Sequence, residues 1–226
     1  SNYIEPRDFI PFLEELLKYH PGLQFLQSTR EFQEKYAKTV VARIFYSTDR
    51  CFCWRLGVRD LKVGKPHVVN AFDTADEEED INLIYDFFSY EHFYVLYCKF
   101  WELDSDRDGY LTADDLLRYG GHALTRMTID RVLKGCGRPL RAGLPGKMCY
   151  EDFIFFMLSE EDKCNRDSLA YWFRIVDLDG DGYIRRWEMQ AFYAEQQHRM
   201  ECLGHAEPVA FDDLFAQLTD ILGLSH

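Results

Sequence analysis

The amino-acid sequence predicts a mainly α-helical protein, built as an array of helix–loop–helix units. Two twelve-residue stretches, 104–115 and 177–188, carry aspartates at positions 1, 3 and 5 and a glycine at position 6. Apolar residues recur with helical spacing on both sides of each stretch. These are the marks of EF-hands, in which a calcium loop joins two helices. We therefore expect two ion-binding hands, at least one degenerate hand and extra amino-terminal helices.

The stretch 177–188, DLDGDGYIRRWE, fits the calcium-loop pattern D-x-[DN]-x-[DN]-G-x5-E at every specified position. Such a loop uses three carboxylates, a backbone carbonyl at position 7 and a closing glutamate at position 12. The predicted ligands are Asp177, Asp179, Asp181, Tyr183 and Glu188. Arg185 at position 9 has no side-chain oxygen, so we expect water to complete the shell there. The alternative, an acidic surface turn, is disfavoured by the apolar helical flanks.

The stretch 104–115, DSDRDGYLTADD, repeats the pattern with one change, because an aspartate stands at position 12. The predicted calcium ligands are Asp104, Asp106, Asp108, Tyr110 and Asp115. Asp115 is one methylene shorter than Glu188, which hinders bidentate closure over calcium. We expect this second calcium site to be the weaker one and more tolerant of magnesium. The alternative, which stays open, is that the loop 104–115 holds no ion in the cell.

A third hand is expected between the two loops, because their separation is about twice the usual interval between paired hands. The stretch 141–152, RAGLPGKMCYED, keeps Gly146 at position 6 and Asp152 at position 12 but lacks the early acids. It is predicted to bind no ion and to pair Met148 with Leu111 across the two loops. The string GLPGK does not have the spacing of a phosphate-binding loop.

The amino-terminal part is predicted to consist of helices with a break at Pro21–Gly22 and a cap at Thr29. A further degenerate hand is expected at 49–60, where Leu56 and Asp60 take positions 8 and 12. Positions 3 and 5 of that loop are Cys51 and Cys53, which have no second Cys/His pair at zinc spacing. Zinc is therefore disfavoured.

The remaining segments complete the prediction. The acidic run 74–80 is expected near the start of a helix. The aromatic residues of 81–103 are expected on helices and mostly in the core, with a partner surface left open for a few. Further helices are expected at 150–164, 188–203 and 211–222. A fourth loop at 202–213 is disfavoured, because the interval after Glu188 is too short for two helices.

Three regions follow from this organisation. They are an amino-terminal helical region, 1–80, a pair of hands, 81–165, and a second ion-binding hand with carboxy-terminal helices, 166–226. Ile184 at position 8 of the last hand needs a partner, either beyond His226 or in the amino-terminal half. Because the sequence starts Ser1–Asn2 without an initiator methionine, we expect the native polypeptide to extend beyond both ends.

The composition of the chain argues against several classes of partner and location. The net charge of −13, from 26 basic and 39 acidic residues, speaks against nucleic acid as a partner. The seven cysteines lack a disulfide framework and are expected to be reduced and mostly buried. No signal peptide or apolar run of membrane-spanning length is visible. A cytoplasmic location, with cytoskeletal or centrosomal association, or a nuclear one, is expected, and no membrane partner.

Three segments carry a specific family resemblance. FSYEHFYVLYCKFWEL at 88–103, FIFFMLSEEDK at 153–163 and YWFRIVDLDGDG at 171–182 resemble the B-double-prime regulatory subunits of protein phosphatase 2A. The resemblance covers at least residues 80–220 and reaches more weakly into RIFYSTDR at 43–50. RYGGHALTRMTIDRVL at 118–133 and HRMECLG at 198–204 look more similar to the plant Tonneau/Fass branch than to the animal forms.

The resemblance implies a non-catalytic adaptor. Such an adaptor would bind the phosphatase scaffold subunit and catalytic subunit and select phosphoprotein substrates, with calcium tuning the assembly. A free-standing calcium sensor acting on another target is the alternative, although only five methionines are available for a target-binding groove. An enzyme is disfavoured, because no nucleophile–base or open metal-site spacing occurs and ion binding accounts for the acidic clusters.

Overall fold

A computed structural model describes residues 2–63, 67–202, 204 and 209–223. Its regular elements are α-helices and short 3-10 turns, and the only pairings of extended backbone within these residues are two isolated bridges. The helices are α1 (Ile10–Tyr19), α2 (Arg30–Thr48), α3 (Val58–Val63), α4 (Val68–Glu77), α5 (Tyr90–Leu103), α6 (Ala113–Leu117), α7 (Arg126–Leu133), α8 (Tyr150–Glu161), α9 (Arg166–Val176), α10 (Arg186–Cys202) and α11 (Phe211–Leu222). The predicted mainly α fold is confirmed.

Helix α2 is the central element, because apolar and aromatic residues occur on several of its faces. Ten of its residues are buried. Its Tyr36 packs in a first cluster with α1, α4 and the segment around Phe88, and the Tyr36 hydroxyl donates to the Phe88 carbonyl (2.6 Å). Its Ala42 joins a second cluster formed with α5 to α9. Thr39 links α2 to Tyr150 of α8 through a hydroxyl pair 2.9 Å apart.

The amino-terminal boundaries follow the sequence signals closely. The predicted break is a 3-10 turn, Pro21–Leu26, which begins where the His20 ring accepts a hydrogen bond from the amide of Gly22 (3.0 Å). Thr29 occupies the cap position of α2, as expected, but its side chain makes no capping hydrogen bond. Burial of the apolar face of α2 therefore stabilises this helix start more than the cap does.

Three sequence expectations need correction. The acidic run 74–80 begins in the last turn of α4 rather than near a helix start, and Asp80 instead caps the next 3-10 turn through the amide of Asn82 (2.9 Å). In the aromatic stretch, residues 85–88 form turns, so α5 begins only at Tyr90. The seven cysteines are unpaired but not mostly buried, since five are exposed and two are half-buried.

The aromatic stretch is otherwise divided as expected between core and surface. Phe87, Phe88, Phe93 and Phe100 are buried, whereas Tyr85 is 72% and Tyr94 is 47% exposed. In the carboxy-terminal part, α10 runs without a break to Cys202, so the interval after Glu188 holds a single helix. Residues 203 and 205–208, within the disfavoured fourth loop, lie outside the described residues. None of the described helices combines the length and apolarity needed to cross a membrane.

Candidate metal centre

Among the described residues, the same hydrogen bond occurs at five helix starts. In each, a backbone amide donates to the carboxylate three residues later, and in four of them these residues are positions 9 and 12 of a twelve-residue loop. The pairs are Glu5–Asp8 (2.7 Å), Gly57–Asp60 (2.8 Å), Thr112–Asp115 (2.8 Å), Cys149–Asp152 (3.2 Å) and Arg185–Glu188 (2.7 Å). The hand architecture is therefore repeated along the chain, whether or not a loop retains its acids.

Loop 177–188 folds around its first residue. The two carboxylate oxygens of Asp177 accept from the amides of Gly180 (2.8 Å) and Gly182 (3.0 Å). Gly182 has φ of +84°, a conformation that a residue with Cβ rarely adopts. Glu188, fully buried, also accepts from the amide of Leu178 (2.6 Å) on the opposite side of the loop. The loop is thereby closed from both ends.

Three carboxylates of loop 177–188 converge. One oxygen each from Asp177, Asp179 and Glu188 lie within 4.8 Å of one another. Two oxygens bound to one calcium ion are at most about 5 Å apart, because each Ca–O contact is about 2.3–2.6 Å. The geometry and the hard oxygen donors both fit calcium.

Asp181, the predicted ligand at position 5, lies outside that converging set. Arg185 binds Oδ2 of Asp181 through both Nε (2.9 Å) and a terminal nitrogen. This hydrogen bond is the main reason that the pKa of Asp181 lies below its usual value. Arg185 was expected only to lack a ligand oxygen, whereas in the structure it also neutralises a ligand carboxylate. The i,i+4 spacing of the two residues was the available signal.

Loop 104–115 brings together its first three aspartates. One oxygen each from Asp104, Asp106 and Asp108 lie within 4.8 Å of one another. Asp104 is fully buried, and its Oδ1 has no hydrogen-bond partner among the described residues, while Oδ2 accepts from the amide of Gly109 (3.0 Å). Burial raises the pKa of Asp104. A buried acceptor without a donor is rare in proteins, and a bound cation would satisfy it.

Asp115, the predicted ligand at position 12, is held by other groups. Its Oδ1 accepts from the Arg118 guanidinium (2.8 Å), and its Oδ2 accepts from the Thr112 hydroxyl (2.7 Å) as well as the Thr112 amide. Burial acts to raise the pKa of Asp115, but these bonds outweigh burial and lower it. Arg118 also donates to the carbonyl of Leu103 (2.6 Å), so it ties both ends of the loop together. The calcium-loop pattern gives no sign of this arginine, because it lies beyond position 12.

A lysine from the neighbouring loop reaches the same site. The Lys147 ammonium, at position 7 of the degenerate loop, donates to Oδ2 of Asp108. That hydrogen bond is the largest cause of the lowered pKa of Asp108. Lys147 was also missed, because only the tertiary pairing of the two loops brings it there.

The predicted pairing of these two loops is present. Leu111 and Met148 form an antiparallel bridge with reciprocal hydrogen bonds of 2.8 and 2.9 Å, and both side chains are fully buried. In the degenerate loop, Asp152 accepts from the amides of Arg141 (2.7 Å) and Ala142 (3.0 Å), so backbone donors satisfy its charge. By contrast, Ile184 is 39% exposed and has no bridge partner among the described residues.

The amino-terminal loop 49–60 is also held by backbone donors. Asp49 is buried and accepts from the amides of Cys53 (3.1 Å) and Trp54 (2.8 Å), and Leu56 bridges to Ile4 (2.8 and 2.9 Å). Ile4 and Asp8 therefore stand where Leu56 and Asp60 stand, and the same spacing in the sequence could have found them. The described residues contain no cluster of three metal-ligating groups that includes a cysteine.

Comparisons with known proteins agree with this geometry. A family profile described as "EF-hand domain" matches residues 1–78, and one described as "EF hand" matches residues 170–193. An Arabidopsis thaliana protein, named as the probable B''delta regulatory subunit of serine/threonine protein phosphatase 2A, is 51% identical over 98% of this chain and 41% of its own length. The human B''alpha regulatory subunit of the same phosphatase is 44% identical over 97% of this chain and 19% of its own length. The chain thus spans less than half the length of these curated relatives.

A solved structure shows the same likeness in three dimensions. It is named PP2A PR70 holoenzyme, with the label diCa, and its matching chain is 43% identical to this one with a TM-score of 0.87. The match covers 100% of this chain and 82% of the other.

Proposed function

The chain belongs to the B'' family of protein phosphatase 2A regulatory subunits, and from this premise we propose that it is a calcium-binding adaptor for the phosphatase scaffold and catalytic subunits. The observation that carries the proposal is the full-length match, with a TM-score of 0.87, to a chain of a PP2A PR70 holoenzyme. Because this chain spans 41% of a curated B'' relative, its partners and its phosphoprotein substrates are part of the proposal. The Tonneau/Fass sub-branch and the compartment stay predictions.

The proposed role is non-catalytic. The relatives are named regulatory subunits, so catalysis is assigned to a separate subunit of the assembly. Among the described residues, each calcium loop contains one cluster of three carboxylates, and ion binding accounts for both clusters. The chain would contribute binding surfaces and a calcium-dependent shape.

We assign one calcium ion to each of the loops 177–188 and 104–115. A bound calcium ion would supply the divalent charge that the converging carboxylates share. Asp177, Asp179 and Glu188 would hold it in one loop, and Asp104, Asp106 and Asp108 in the other, with the carbonyls of Tyr183 and Tyr110 at position 7. Asp181 and Asp115 would join only by leaving Arg185 and Arg118.

The two loops would have different roles. Loop 177–188 already includes its closing Glu188 in the converging set, which favours tight binding and a structural role. In loop 104–115, Asp115 does not belong to the converging carboxylates. Two cations, Arg118 and Lys147, compete with calcium for the carboxylates of this loop. Weaker binding makes this loop the calcium-responsive one. Its Leu111–Met148 bridge leads directly to α8, the helix that packs on α2.

The test is co-purification of the 226-residue chain with purified scaffold and catalytic subunits, in calcium and in chelator. We expect a complex in calcium. We expect Asp104→Ala to abolish its calcium dependence, whereas Asp73→Ala, an equal charge change at an exposed position of α4, leaves it intact. Absence of any complex, with both loops titrating calcium normally, would overturn the adaptor role and favour a sensor with another target. Equal calcium affinities at the two loops would overturn their division of roles.

A further inference from the structure

A small basic cavity lies between the end of α2, the turn at Gly137–Arg138 and one face of α9. Its volume is about 170 Å³. Four arginines and two aspartates supply its charged lining: Arg50, Arg138, Arg166, Arg174, Asp49 and Asp167. This concentration of cations stands out in a chain whose net charge is −13. Neither calcium loop contributes a residue to the cavity.

Arg138 forms the buried floor of the cavity. Only 6% of its side chain is exposed, and a terminal nitrogen donates to the carbonyl of Phe45 (3.1 Å). The guanidinium lies 4.7 Å from the ring centre of Phe52 and 4.2 Å from that of Phe155. Burial lowers the pKa of Arg138 to about 10, which leaves it charged at neutral pH. The positive charge is therefore fixed in place.

The wall beside Arg138 is also held firmly. Phe52 adopts a left-handed backbone conformation (φ +54°), which is uncommon for a residue with a side chain and places its ring 5.0 Å from the Arg174 guanidinium. Arg174 donates to the carbonyl of Gly137 (3.0 Å). A Cβ at Gly137 would lie 2.7 Å from the Tyr171 ring, so this close approach requires glycine. The floor of the cavity is thus preorganised, whereas Arg50 and Arg166 are exposed side chains at its rim.

The charges in the cavity do not balance. Asp49 is satisfied by two backbone amides and by Arg138 at 3.5 Å. Asp167 is half-buried; burial raises its pKa, while all four arginines act in the opposite direction. Within the described part of the chain, Arg50, Arg166 and Arg174 form no ion pair within 4.0 Å. Four cations thus face two carboxylates, and a dianion would restore neutrality.

We propose that this cavity binds a phosphate dianion, either free phosphate or the phosphate monoester of a phosphorylated side chain. Arginine guanidinium groups match phosphate oxygens with two parallel hydrogen bonds. The volume suits a single phosphoryl group, since sites for drug-sized ligands are about 300–1,000 Å³. The proposal depends on the cavity alone and does not rest on the phosphatase partners.

The experiment titrates the 226-residue chain with inorganic phosphate, blocked phosphoserine and blocked serine, in chelator so that no calcium phosphate forms. Calorimetry gives the affinity, and NMR signals of the arginine Nε–H groups report the site. We expect phosphate and phosphoserine, but not serine, to shift the cavity arginine signals. Tighter binding of phosphoserine than of phosphate would identify a phosphoprotein as the source, and the reverse order would identify free phosphate.

Variants of exposed residues test the assignment without disturbing the floor. Arg50→Gln and Arg166→Gln should each weaken binding about tenfold, the effect of losing one charged hydrogen-bond donor. Asp167→Asn should tighten binding severalfold, because it removes a competing carboxylate. Arg30→Gln is the matched control, since Arg30 lies at the opposite end of α2, about 27 Å along the helix. Absence of shifted arginine signals at tens of millimolar phosphate, or equal weakening by Arg30→Gln, would overturn the proposal.

Discussion

Lys147, at position 7 of a loop without acidic residues at positions 1, 3 and 5, donates a hydrogen bond to Asp108, the predicted ligand at position 5 of the neighbouring loop. The Leu111–Met148 bridge, three residues beyond Asp108, holds the two loops in this register. The degenerate hand therefore does more than support its partner, because it places a cation at one edge of the calcium site.

Replacing Lys147 should strengthen calcium binding at loop 104–115. Lys147→Met removes the ammonium while keeping a side chain of similar length. Asp108 can then bind the metal ion without first losing its hydrogen bond to a lysine. We expect a severalfold gain in affinity, measured by calorimetry in an Asp177→Ala background that disables the other loop. Lys38→Met, an exposed lysine lining the groove between α1 and α2, is the control and should change nothing. A loss of affinity in Lys147→Met would show that the lysine supports the site.

Lengthening Asp115 should change the ion preference of the same loop. Asp115→Glu adds the methylene that a bidentate position 12 needs for calcium, whereas magnesium accepts fewer and closer oxygens. The ratio of calcium to magnesium affinity should therefore increase. The increase should be partial, because Arg118 competes with calcium for the carboxylate at position 115. Competition calorimetry measures this ratio. Asp114→Glu, the same change at the exposed neighbouring position, is expected to leave it unaltered.

The sequence predicted those parts of the site that depend on local spacing. The converging carboxylates, Gly109 and Gly182, and the Leu111–Met148 pair all have fixed places in a twelve-residue pattern, whereas the assignment of the carboxylates as ligands stays a prediction. The cations Arg118 and Lys147 were not predicted, because their roles depend on the direction of side chains and on the approach of a distant loop. The closing pair Glu5–Asp8 was missed because the aspartates that mark positions 1, 3 and 5 of a loop are lacking there, and only the four-residue spacing of Ile4 and Asp8 marks it.

Misjudged positions in the fold have a similar physical origin. The acidic run 74–80 was expected near a helix start, since acids there interact favourably with the helix dipole. In the structure Asp76 and Glu77 occupy the last turn of α4. A run of charges indicates an exposed surface but does not say which end of the helix it occupies. Apolar neighbours likewise favoured buried cysteines, although Cys98 of α5 is exposed.

The bridge between the paired loops should contribute strongly to stability. Met148 is fully buried among residues of the second cluster. Met148→Ala should lower the free energy of unfolding by about 2–5 kcal/mol, through lost burial and a cavity. Met148→Leu conserves most of the volume and should cost below about 1.5 kcal/mol. Urea denaturation in chelator measures both. Similar losses for the two variants would mean that the site collapses around a small side chain and that packing at Met148 is not specific.

Replacing Arg138, the cation of the buried pair Arg138–Asp49, should lower the free energy of unfolding substantially. Arg138→Met leaves the buried Asp49 carboxylate without its cation and removes the donors to the carbonyls of Phe45 and Tyr46. Removing one partner of a buried ion pair costs about 3–5 kcal/mol. The exposed pair Arg30–Glu34 provides the contrast, since Arg30→Met should change stability by no more than about 1 kcal/mol.

A double variant separates the uncompensated charge from the lost packing. Asp49→Asn in the Arg138→Met background removes the unpaired charge and should recover part of the loss, giving a coupling free energy above about 0.5 kcal/mol. The asparagine oxygen can still accept one of the two backbone bonds that Asp49 makes with Cys53 and Trp54. Additive losses in this cycle, measured by urea denaturation, would contradict the ion pair as the source. The loss would then lie in the contacts of the Arg138 guanidinium with the Phe52 and Phe155 rings.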